Sequence, residues 1–90
     1  MVGEDYDQER ITAEEVILNG HLECVKEEAQ LITQEGELIT AIEKSMINEA
    51  DYDMKGYLNM AEQIAKKKLE MYSVLLEKIA DFKCRFGDQY

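Results

Sequence analysis

The stretch Asp51–Phe86, DYDMKGYLNMAEQIAKKKLEMYSVLLEKIADFKCRF, decides the fold. Within it Leu58, Ala61, Ala65, Lys68, Tyr72, Leu75, Ile79, Phe82 and Phe86 recur at steps of three and four residues in strict alternation. Such spacing keeps one face of an α-helix turned to a neighbour over its whole length, as in a heptad seam. Tyr57, Ile64, Met71 and Leu76 broaden the stripe, and Gly87 stands where a helix-ending glycine belongs. The pattern predicts a helix over about 54–86, with Asp51 or Asp53 as its cap.

Upstream, Thr12-Ala13-Glu14-Glu15 fits a capping box, Thr12 capping and Glu15 reaching back. Leu18, Leu22, Val25, Ala29, Ile32, Ile39 and Met46 then follow at threes and fours or their sums, with Gly36 and Glu43 in the gaps. A flanking row of Leu31, Leu38 and Ile42 widens this face. We read a first helix over about 13–47, a turn over 48–53, a flexible lead-in over 1–11 and a short tail over 88–90. Gly20 and Gly36 weaken that helix, and close approach of another helix is the reason the pattern suggests.

Two long helices joined by a short turn make an antiparallel hairpin, so the fold class is all-α. Both stripes are wider than one seam needs. The expectation is a second layer, either a homodimer forming a four-helix bundle or a docked partner. The interaction face is assigned to Leu58, Ala61, Ala65, Lys68, Tyr72, Leu75, Ile79, Phe82 and Phe86, with Leu22, Val25, Ile32 and Ile39 on the first helix.

Ninety residues allow one small domain, and the absence of proline suits long helices. The net charge of −10 lies in the first half, where thirteen acids face three bases, while residues 51–90 hold seven of each. An acidic surplus disfavours nucleic acid and anionic membranes and favours a basic partner. Cys24 and Cys84 are too few for a disulfide framework or zinc site, and with the turn near Asp51 they lie about 9 Å apart along the axis. In that register Cys24 faces roughly residue 78. The two cysteines, five methionines and lack of a signal-peptide pattern predict a reducing, intracellular setting.

Few residues carry candidate chemistry. Counted from Asp51, a calcium loop would place Asp53 third, Gly56 sixth, Asn59 ninth and Glu62 twelfth, but Lys55 stands fifth where an oxygen ligand is needed. The alternative is a plain helix cap. His21 is the only histidine, so no His-based metal cluster can form, and a packed or hydrogen-bonded structural role is expected of it. Lys66-Lys67-Lys68 resembles a phosphate patch, yet Lys68 falls on the apolar stripe, which predicts a half-buried stem and an ammonium reaching acids of the first helix. No phosphate loop and no nucleophile–base set is present, so neither an enzyme nor a cofactor is expected.

Taken together, several residues resemble the C-terminal, non-motor segment of the kinesin-13 microtubule depolymerases. They are Glu14-Glu15-Val16-Ile17-Leu18 followed by His21, and Glu35 followed by Leu38-Ile39. Asp51-Tyr52-Asp53 with Tyr57 follows, then Lys68 eleven residues on and a repeat ending in Phe82-Lys83. The likeness covers roughly residues 14–86 and departs from the family in a longer join around 43–50. It implies a tail that helps the motor dimerise and regulates it by docking on motor or neck. ATP hydrolysis would belong to a motor domain outside this sequence. Microtubule contact would come through the full-length protein, in the cytoplasm and on the spindle. A generic coiled-coil scaffold fragment is the remaining reading.

Overall fold

The computed structural model describes residues 2–48 and 51–90, with side chains from Asp7 onward. It consists of two long helices packed as a hairpin, α1 over Val2–Asn48 and α2 over Met54–Phe86, and a single 3₁₀ turn over Gly87–Gln89. No strand occurs among the described residues.

The second helix starts where the sequence predicts, and for the predicted reason. The Gly56 N–H donates to Asp53 Oδ1 at 2.9 Å, so the carboxylate takes one of the donors that a helix start leaves without an intrahelical partner. The Tyr57 N–H bonds the Asp53 carbonyl at 3.1 Å and continues the first turn. Asp51 lies outside this cap, exposed. Of the predicted turn, residues 49–50 lie outside the described residues.

The first helix differs from expectation at its start. It is helical from Val2, so residues 2–11 of the expected lead-in are part of α1 and Thr12 is an interior residue rather than a cap, while Met1 lies outside the described residues. Near the end of this extension Arg10 is half-buried, and its Nη1 donates to Gln89 Oε1 at 3.1 Å. A frayed end that gains such a partner continues its helix, because most helical stability comes from packing. α1 runs unbroken through Gly20 and Gly36.

Gly87 also departs from expectation. No glycine adopts a positive φ among the described residues, so the chain does not end α2 in a left-handed cap but tightens into the 3₁₀ turn.

The hairpin divides into two compact units. The unit carrying the turn comprises residues 26–70. Its buried residues are Leu31, 3% exposed, and Ile64, 8% exposed, with Leu38, Ile42, Tyr57 and Ala61 half-buried around them. The unit carrying both termini comprises residues 2–25 and 71–90. It buries Cys24, Leu75 and Phe86, the last only 2% exposed.

Candidate association surface

The seam between the helices is built from heptad rows, but on α1 it is not the row with the cleanest apolar spacing. Ile17, Cys24, Leu31 and Leu38, seven residues apart, are the positions turned inward. The predicted row one residue later is exposed throughout: Leu18, Leu22, Val25, Ile32, Ile39 and Met46 are 45–66% exposed, and Ala29 is exposed too. Of the first-helix residues assigned to the interaction face, Leu22, Val25, Ile32 and Ile39 therefore lie outside the hairpin seam.

On α2 the predicted face splits. Leu75 and Phe86 are buried, while Ala61, Lys68, Tyr72, Ile79 and Phe82 are half-buried. Leu58 and Ala65 are exposed, as are Leu69 and Leu76.

The sequence pattern ranked this row second, with Leu31, Leu38 and Ile42 only flanking the stripe, because polar residues stand beside it. Glu27, Glu28 and Glu35 are half-buried beside it. The structure pairs two of these with the lysine run: Lys67 Nζ lies 3.2 Å from Glu27 and Lys68 Nζ 2.5 Å from Glu35. Lys68 thus has the half-buried stem and acid-seeking ammonium that its place on the stripe predicts. The signal was available: three adjacent lysines on one helix call for acids at matching positions on the other.

In the terminal unit the seam is sealed by aromatic rings. Phe82 and Phe86 stand 5.2 Å apart by ring centroids, Phe82 and Tyr90 6.0 Å, and the Arg85 guanidinium lies 4.8 Å from the Phe86 ring. The Tyr90 hydroxyl donates to Glu14, and this hydrogen bond holds the phenol above its ordinary pKa. A groove of about 530 Å³ beside these rings is lined by Thr12, Val16, Ile17, Lys78 and Phe82 among others. Nothing in it forms a nucleophile–base pair.

The other predicted candidates fall as follows. Gly56, Asn59 and Glu62 lie inside α2, so residues 54–62 are helix and not a loop, and Glu62 pairs with Lys66 at 3.0 Å. No group of three or more His, Cys, Asp or Glu residues could hold a metal among the described residues. His21 is exposed, not packed, because the seam position beside it is Gly20, approached by the Lys78 side chain. The Cys24 thiol donates to the Met71 carbonyl at 3.8 Å, so Cys24 meets Met71 rather than residue 78. Cys84 is exposed and both thiols are free. No helix among the described residues is long and apolar enough to cross a membrane.

Apolar rows thus lie exposed outside the hairpin seam, and among the described residues no site brings three or more metal-ligating groups together. No protein-family model, no curated protein and no solved structure matches this chain.

Proposed function

We propose that this chain is a non-catalytic association module that forms a homodimer and serves as the regulatory tail of a kinesin-13-like microtubule depolymerase. The observation that carries the first half is unfinished burial. A folded monomer of 10.4 kDa exposes about 5400 Å² by the usual scaling, whereas this chain exposes 7180 Å². The surplus of roughly 1800 Å² is more than twice the ~800 Å² each partner buries in a standard interface. Much of it is apolar, since sixteen large apolar or aromatic side chains are exposed among the described residues.

The second half rests on the likeness of residues 14–86 to the kinesin-13 tail and on charge. With the −10 surplus in residues 1–50, a basic neck or motor surface is a favourable partner, and acidic tubulin is not a direct one. Microtubule and spindle association then belongs to the full-length protein.

Sedimentation equilibrium tests the module. A dimer at tens of micromolar supports it, and a monomer at that concentration removes it. Binding of the purified chain to a kinesin-13 motor–neck fragment tests the tail role separately. Salt-sensitive binding supports it, and no binding at 100 µM leaves only the dimer.

A further inference from the structure

Within each unit the exposed rows of the two helices share one side. On α1 each exposed row residue follows a seam residue by one: Leu18 follows Ile17, Val25 follows Cys24, Ile32 follows Leu31 and Ile39 follows Leu38. On α2, Leu69 follows Lys68 and Leu76 follows Leu75. One residue turns a helix by about 100°, and in an antiparallel pair this rotation carries both helices toward the same side. In the turn unit that side presents Ile32, Ile39 and Leu69, and in the terminal unit Leu18, Val25 and Leu76. The residues one position before the seam point the opposite way: Glu23, Gln30 and Glu37 on α1 and Lys67 on α2 are polar, with exposed Val16, Met60 and Val74 among them.

Resting on the association reading above, we propose that the side bearing Ile32, Ile39 and Leu69 is where a second copy of this chain packs. Three observations select that occupant. Within the turn unit the α1 row keeps three- and four-residue steps from Ala29 to Met46, about 26 Å, and such a row stays in register only with another helix of like pitch. Its members are uncharged apart from Glu43, so a basic partner finds little there to pair, whereas a second copy supplies the same apolar row. Gly36, on the row between Ile32 and Ile39, has nothing within 4 Å of where a Cβ would stand. It weakens α1 relative to alanine with no return inside the chain, and a neighbouring backbone crossing at that point uses the space.

The test compares the two sides on the full chain by sedimentation equilibrium, with far-UV circular dichroism to verify helix content. Ile32→Glu with Ile39→Glu is expected to keep the helical signal and raise the dimer dissociation constant roughly a thousandfold, the scale of losing several central apolar contacts. Glu23→Gln with Glu37→Gln, on the opposite side, is expected to change it less than about threefold. If the wild-type chain dimerises and Ile32→Glu with Ile39→Glu dimerises equally well, this side is not the interface while the association module stands. If the wild-type chain is monomeric, both proposals fall.

Discussion

The two units close the same seam by different chemistry. In the turn unit Leu31 and Ile64 are flanked by the pairs Glu27–Lys67 and Glu35–Lys68. In the terminal unit the flanks are aromatic: Phe82, Phe86 and Tyr90 form a ring cluster over the start of α1. The contrast follows from connectivity. Beside a turn the helices are already held together, and half-solvated ion pairs that contribute little suffice. Where both chain ends could fray, large apolar side chains must offset the ordering entropy.

The sharpest way to break the contrast is to remove one core side chain from each unit. Phe86→Ala is expected to cost about 3–5 kcal/mol and Leu31→Ala about 2–4 kcal/mol in denaturant unfolding. Native-state hydrogen exchange should show Phe86→Ala loosening residues 71–86 before residues 54–70. Equal loosening of both would mean that the units are not separately stabilised.

Next in size is the cap. A Cβ on Gly56 would collide with the Asp53 carboxylate that caps α2. Gly56→Ala should therefore destabilise by about 1–2 kcal/mol despite alanine's better helix propensity. Gly36→Ala, with open space around it, should stabilise the isolated monomer by up to about 1 kcal/mol.

The ion pair comes third. Lys68→Met alone strands a half-buried Glu35 and should cost about 1 kcal/mol, while Lys68→Met with Glu35→Leu should return to within about 0.5 kcal/mol of the parent. A double variant as unstable as the single one would show that the turn unit needs its charges.

The smallest effect belongs to Tyr90. Its phenol is held above the ordinary value chiefly by the hydrogen bond to Glu14, the side chain itself being largely exposed. The proton is thus bound more tightly in the folded chain. The contribution is fully present below about pH 10, where the unfolded phenol titrates, and is lost as pH rises through the higher folded value. Melting temperature should fall slightly more between pH 9 and 11 in the parent than in Tyr90→Phe.

How much of this the sequence disclosed depends on the residue. Leu58 to Phe86 spelled out α2 with its boundaries, since a strict 3–4 alternation admits no strand and Asp53 is a cap by its chemistry. The hairpin followed from helix lengths and the short join. The seam of α1 was not the row that the sequence ranked first, because that helix carries two heptad rows one residue apart. Periodicity ranks rows by apolar content and so favours Leu18, Val25, Ile32 and Ile39. Packing ranks them by match to the partner helix, where Glu27 and Glu35 meet lysines. Residues 2–11 were not legible as helix for a related reason: the partner that Arg10 finds there, Gln89, is seventy-nine residues away along the chain.

That distant hydrogen bond has a kinetic meaning. Contacts in the turn unit join positions such as 35 and 68, thirty-three apart, whereas Arg10 and Gln89 are seventy-nine apart. Loop-closure entropy grows with separation, so pairing that begins at the turn shortens every later loop before it must close. The hairpin is therefore expected to zip from the turn outward, with the aromatic cluster as the clasp fastened last.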